Sequence, residues 1–265
     1  MKIWWQSSTP IHRLHDYRNA LTAHLNGVKR ADTEIHINGV DDGSMDLHFN
    51  AVVAMNSYGP GGVLNKIMQA ADQGYDAVAI GCFLDPAMQE AREVVPIPVL
   101  GLGEASMLAA CMYGAKFSGV AFHKKQSQYY DRKAYEYGLQ DRHIPFGDLG
   151  IDFTEVQKGF SDPGQMTERF IKECKRLGEQ GAEVILAACA TVNAIIRREK
   201  INEVDGVLIM DCNAVLLKQT EGMADLYKSI GLQASRRLLY SGPNKKSLDD
   251  WRKLYNFRAS AQLKP

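Results

Sequence analysis

Two stretches of the chain, "QGYDAVAIGCF" at residues 73–83 and "QGAEVILAACA" at 180–190, share one frame. Each has Gln-Gly, an acidic residue two places after the Gly, an apolar run, a small residue and then a cysteine, Cys82 or Cys189. An apolar run without polar alternation suits a strand covered on both faces, as in a parallel sheet with helices on either side. A residue at the end of such a strand sits at the carboxyl edge of its sheet, where open α/β sheets bind ligands. Helix, Gly turn, strand, small residue, cysteine, helix and strand recur in each half. That is duplication on the scale of a lobe, not the period of about 20–50 residues that marks a solenoid. Two similar lobes facing each other would bring both cysteines to one cleft.

The rest of the pattern agrees. Apolar runs predict strands at 76–81, 98–102, 117–122, 183–188 and 206–210, with "KIWW" and "EIHINGV" before them. Helical spacing predicts helices at 85–93, 104–114, 127–138, 163–179, 191–203 and 213–231, and "VLNKIMQAADQG" follows a glycine-rich turn at 56–62. An early helix is expected to open on Thr9 as N-cap with Pro10 in the first position. Strands alternating with helices of this length predict an α/β fold: two pseudo-symmetric α/β lobes with parallel sheets and a cleft between them. The 265 residues suffice for two lobes of about 100–150 residues each. The tail from residue 233 falls outside the duplication; it is expected to pack on a lobe, with Ser247 capping a short helix.

Charge and cysteine usage narrow the function. Lys+Arg and Asp+Glu both total 31, so no global field favours nucleic acid or an acidic membrane surface. There is no apolar run of about 18 residues, and the first residues lack the pattern of a secretory signal. The five cysteines form no C-x-x-C pair and no zinc-type spacing, which predicts free thiols and a cytoplasmic protein. No metal motif, dinucleotide fingerprint or lysine placed for a pyridoxal Schiff base is present, so no cofactor is expected. The expected partner is a small-molecule substrate.

Cys82 and Cys189 facing each other suggest proton transfer at carbon. One as thiolate removes a proton while the other, as thiol, returns one to the opposite face. An ordinary thiol has a pKa of about 8.5 and is mostly protonated at neutral pH. A helix starting just after each cysteine would stabilise the anion. Its free N–H groups, at Phe83 on one side and Ala190 and Thr191 on the other, could also hold an oxygen as charge develops. Gly81 and Ala188 would let a ligand approach the backbone. Among the other cysteines, Cys111 and Cys174 read as core and Cys212 as structural. His123 reads as a loop histidine near the cleft mouth, while Glu104 and Asp211 read as carboxylates at helix starts.

The stretch "AIGCFLDPAMQEAREVVPIPVLGLGEASMLAA", residues 79–110, resembles the first-cysteine region of hydantoin racemases almost position for position. "GAEVILAACA" and "GVLIMDCNAVLLK" resemble the second-cysteine region and the strand and helix after it. By this resemblance, which spans most of residues 1–230, the chain is similar to the aspartate/glutamate/hydantoin racemase superfamily and closest to its hydantoin/allantoin branch. The resemblance implies cofactor-free, two-cysteine racemisation in a cleft between pseudo-symmetric lobes, and a homo-oligomer. The first lobe would be residues 1–97 plus 211–265, carrying Cys82, and the second 98–210, carrying Cys189. The family's Asn-Pro-Asn-Thr/Ser loop is replaced by "WWQSSTP", in which Gln6, Ser7 and Ser8 can still donate to a substrate and Trp5 narrows the pocket. Ser57 and Tyr58 in "NSYGPGG" stand where the family's cleft-lining loop would be. The second cysteine lies in Ala188-Cys189-Ala190-Thr191 rather than a glycine-flanked context, and Cys212 replaces a glycine, so the substrate is left open.

The leading expectation is a racemase or epimerase of a hydantoin-, allantoin- or amino-acid-like carbon acid. Maleate-isomerase-like and arylmalonate-decarboxylase-like chemistry stand as alternatives, although the latter needs only the second thiol. A two-lobed binding protein and a cysteine hydrolase rank lower, because the thiols are matched and no histidine is placed beside either.

Overall fold

The computed structural model describes residues 1–47 and 49–255. The first sheet is built from β1 (Lys2–Gln6), β2 (Glu34–Asn38), β3 (Ala77–Ile80) and β4 (Val99–Gly101). Its order is β2-β1-β3-β4, and every pairing is parallel. Helices α1 (His15–Val28), α2 (Asn50–Tyr58), α3 (Val63–Asp72) and α4 (Met88–Val94) connect these strands. α5 (Leu102–Tyr113) then crosses to the second sheet.

That sheet contains β5 (Phe117–Ala121), β6 (Gly147–Asp148), β7 (Val184–Ala187), β8 (Glu203–Val204) and β9 (Val207–Met210), ordered β6-β5-β7-β9-β8. All pairings are parallel except β8 with β9. α6 (Lys124–Glu136), α7 (Phe153–Lys158), α8 (Gly164–Glu179) and α9 (Ala190–Arg198) surround it. α10 (Cys212–Ile230) packs on α5 and returns to β3 and β4, and α11 (Lys245–Leu254) ends the described chain. The two α/β lobes with largely parallel sheets therefore form as the apolar runs predict.

The repeated frame has a physical reason at each position. Gly74 and Gly181 take positive φ, +74° and +96°, which turns the chain from α3 and α8 into the next strand with no Cβ penalty. Asp76 accepts the backbone N–H of Lys2 (2.6 Å), while Glu183 accepts that of Ala115. Each acid thus holds the start of a neighbouring strand segment. The apolar runs Ala77–Ile80 and Val184–Ala187 are buried throughout, because both faces of each sheet are covered.

Several expectations are corrected here. Thr9 and Pro10 do not open a helix: the Thr9 hydroxyl pairs with Ser7 (2.8 Å), a 3-10 turn spans Ile11–Arg13, and α1 starts at His15. β4 pairs with β3, so residues 99–101 belong to the first sheet and the expected changeover at residue 97 falls inside it. Asn56, Ser57 and Tyr58 finish α2 rather than sitting in the glycine-rich turn. A capping box between Asp152 and Glu155 opens α7, which the apolar spacing misses.

The tail packs on the first lobe. Arg236 donates to the carbonyls of Arg92, Glu93 and Val95 at the end of α4 (2.7, 2.8 and 2.5 Å), and Arg252 pairs with Asp72 (3.0 Å). The cap of α11 is Asn244, which accepts from the N–H of Ser247 (2.9 Å), the reverse of the expected Ser247 cap. The tail's last residues, 256–265, lie outside the described residues. Among the described residues, no helix is long and apolar enough to cross a membrane.

Candidate active site

Cys82 follows β3 and Cys189 follows β7, each a strand flanked on both sides by parallel neighbours. Both thiols line one cavity of about 30 Å³ at the carboxyl ends of the two sheets. Of the residues expected to bind substrate, Ser7, Ser8, Gly81, Phe83, Ala190 and Thr191 are on its wall. The first two arrive on the loop after β1; the others flank the cysteines.

Three expected contacts, and the small residue before Cys189, are placed elsewhere. The Gln6 amide is buried beneath the loop, accepting from the Trp4 indole (2.8 Å) and donating to the Ser7 carbonyl (2.7 Å). The Ser57 hydroxyl turns back onto its own helix, to the Val53 carbonyl (2.5 Å). Tyr58 faces away from the thiols and donates to Glu90 (2.9 Å). Ala188 is fully buried and does not reach the cavity.

Gly81 lines the cavity, but its size is set from behind. A Cβ there would lie 2.2 Å from Nε1 of Trp5, which is wholly buried. The unusual tryptophan and the glycine fit each other, and the indole N–H has no partner among the described residues.

The mountings of the two cysteines differ. Cys189 occupies the N-cap position of α9, as expected. Cys82 does not start a helix: a turn follows it, with Asp85 and Ala87 at positive φ, and α4 begins only at Met88. The reason is Asp85. Its carboxylate accepts the N–H groups of Gly103 (2.8 Å) and Glu104 (2.7 Å) at the start of α5, and the Tyr137 hydroxyl (2.7 Å). Burial nevertheless pushes the Asp85 carboxyl up to about 6, those hydrogen bonds opposing it. Glu104 lies in the first turn of α5 without capping it, and pairs bidentately with Arg92.

Burial dominates at both thiols. It pushes Cys82 up to about 11, against hydrogen bonds from the Ser8 hydroxyl and the Leu84 N–H. It raises Cys189 as well, against the N–H groups of Val192 and Thr191 and the Thr191 hydroxyl. The phenols of Tyr17 and Tyr130 are pushed up by burial and by the nearby thiols, so both remain protonated.

Tyr17, Gln126, Tyr130, Phe122 and Phe153 also line the cavity, brought there by α1, the end of β5, α6 and α7. Phe83 packs edge-on against Tyr130, with ring centroids 4.8 Å apart, closing one lobe on the other. No described residue on the wall is charged. His123 is not among them; its Nδ1 accepts the Lys125 N–H (3.2 Å) and caps α6. Asp211 caps α10 through Ala214 (3.1 Å) and pairs with His24 (2.9 Å). Cys212 is buried behind it, off the cavity, as is Cys174 on α8; Cys111 on α5 is half-buried and also off the cavity.

Two largely parallel sheets with a shared cavity at their carboxyl ends define a two-lobed α/β protein with its candidate site between the lobes. The particular kind is given by its relatives. The Asp/Glu/Hydantoin racemase family model matches residues 37–220, and the chain belongs to that family. A hydantoin racemase from Pseudomonas sp. (strain NS671) is 30% identical over 186 residues, 70% of this chain and 71% of that protein. The fold matches that of allantoin racemase from Klebsiella pneumoniae with a TM-score of 0.74 at 23% identity, covering 92% of this chain and 94% of that one. Allantoin racemase from Pseudomonas fluorescens gives a TM-score of 0.73 at 20% identity, covering 92% and 97%. The protein is an isomerase of the racemase class acting on a small carbon acid.

Proposed function

We propose that the protein racemises a hydantoin- or allantoin-like carbon acid by two-thiol proton transfer, with no added cofactor. The observation that carries this reading is the convergence of Cys82 and Cys189, one from each sheet, on a single cavity. With one enantiomer bound, the thiolate of one cysteine takes the proton from the acidic carbon. The thiol of the other delivers a proton to the opposite face, so the two cysteines exchange protonation states in each turnover.

The enclosed setting suits this chemistry. A thiol pushed up by burial is seldom ionised at neutral pH, but its thiolate is a stronger base toward carbon. The backbone N–H groups of Thr191 and Val192 at the start of α9 donate toward the Cys189 sulfur, which supports its thiolate as the base. The uncharged wall supports a neutral ring as substrate, since burying a dicarboxylate without a cation is costly. That favours the hydantoin/allantoin reading over maleate-like chemistry.

The test is proton NMR in deuterated buffer with 5-substituted hydantoins, allantoin, aspartate, glutamate and maleate, beside optical rotation. Wild type should lose the α-proton signal and the rotation of a cyclic substrate. Cys82→Ser and Cys189→Ser should each lower racemisation by about 100-fold or more. Racemisation that survives both substitutions refutes the two-thiol mechanism, and conversion of maleate to fumarate alone moves the protein to a different isomerisation.

A further inference from the structure

α6 starts at the carboxyl end of β5, the strand beside β7, and its first turn is firmly held. His123 caps it through Lys125, and the Gln126 N–H donates to the His123 carbonyl (2.9 Å). The Gln126 side chain lies on the wall of the cavity that holds both thiols. Gln126 is 2% exposed, yet its Oε1 has no hydrogen-bond partner among the described residues. Buried polar atoms are nearly always paired, and an exception on a cavity wall calls for an explanation, which a bound molecule would supply. Gln126 was not among the residues expected at the site, and the cavity needs no amide for proton transfer between thiols.

We propose that Gln126 is the specificity-determining residue of the site: its Oε1 accepts a ring N–H of the substrate. The substrate would therefore present a secondary amide N–H beside the carbonyl that acidifies its reacting carbon, the edge of a cyclic amide, imide or ureide. This rests on the racemase reading and refines it. A carboxylate would bring only acceptor oxygens to Oε1 and leave it unpaired or repelled. An N–H donor satisfies it, and the uncharged wall admits the neutral ring that carries such a donor.

The experiment compares full-length wild type, Gln126→Leu and Gln126→Glu on 5-methylhydantoin and on its derivatives methylated in turn at each ring nitrogen. The readouts are exchange of the α-proton in deuterated buffer, calorimetric binding and alkylation of the two thiols. Gln126→Leu should raise KM for the parent by about 10- to 100-fold with kcat little changed, the signature of lost binding common to ground and transition state. Methylating the nitrogen that Gln126 reads should weaken wild type by a similar factor and add nothing in Gln126→Leu. Gln126→Glu keeps an oxygen acceptor and so keeps the penalty for methylation, which preserves the test if the leucine variant does not fold. Unchanged alkylation of Cys82 and Cys189 would show that the variants leave the thiols in place.

An unchanged KM in Gln126→Leu overturns the proposal, as does an equal loss on parent and methylated substrates. So does a wild type that neither binds nor exchanges cyclic amides while exchanging aspartate. Racemisation that survives loss of either cysteine would instead refute the two-thiol reading, whatever Gln126 does.

Discussion

Gly81→Ala tests the packing that sets the cavity wall. The added Cβ would meet three atoms of the Trp5 ring, Nε1 at 2.2 Å, Cε2 at 2.5 Å and Cζ2 at 2.8 Å. Trp5 has 0% exposure, and its backbone is paired on both sides, with Ile37 of β2 and Ala79 of β3. The ring cannot swing away without moving the sheet. Overpacking of a core costs about 1–3 kcal/mol; with three contacts this short, the upper end, about 3 kcal/mol, is expected. In a chain of this size that lowers Tm by about 6–12 °C. Urea and thermal unfolding of Gly81→Ala, Trp5→Leu and the double variant give the coupling. Trp5→Leu alone leaves a cavity and costs about 3 kcal/mol, but it also removes the ring that the new methyl strikes. The double variant should therefore be more stable than the sum of the singles by about 2 kcal/mol. A Gly81→Ala effect below about 0.5 kcal/mol, or strict additivity, would refute this account of the glycine.

Other predictions follow from the titrating groups and the tail. Because burial raises both thiols, Cys82 to about 11, kcat/KM should rise about tenfold per pH unit between pH 7 and 9; a flat profile would contradict a thiolate base. The raised Asp85 carboxyl binds its proton more tightly in the folded chain than in the unfolded one. Its contribution is full below an ordinary carboxylate pKa near 4 and is lost as pH rises through about 6, a change of about 3 kcal/mol. Urea denaturation across pH 4–7 should show that fall in wild type and not in Asp85→Asn. Arg236→Ala removes the donor that ties the tail to the end of α4, so limited proteolysis within 232–244 should accelerate while the thiol cavity keeps its alkylation rates.

The strands and the two cysteines were legible because each depends on local pattern: a covered strand is apolar throughout, and its carboxyl end is marked where the run stops. The turn after Cys82 was not. Asp85-Pro86 carries the usual signature of a helix start, but the Asp85 side chain caps α5, which is distant in sequence. Gln6, Ser7 and Ser8 are consecutive, yet only the serines reach the cavity, since the strand ends at Gln6 and the direction of the following loop is set by tertiary contacts. Tyr17, Gln126 and Tyr130 carry no local signal at all. Each looks like an ordinary position on an amphipathic helix, and only the placement of α1 and α6 against the sheets turns them toward the thiols. The acids of the repeated frame were visible as a repeat, but their task of holding a neighbouring segment became clear only from the pairing.

The unequal mountings of Cys82 and Cys189 have a consequence for the ancestry of such a site. The two halves carry a sulfur at matched positions while the segments that follow differ, a turn in one half and a helix in the other. Substitutions can therefore accumulate behind one sulfur without being mirrored behind the other. If both sulfurs move protons as proposed, such a scaffold could turn from scrambling handedness to imposing it: with one sulfur silenced, protons would arrive from a single side, and the products would inherit the chirality of the surviving half.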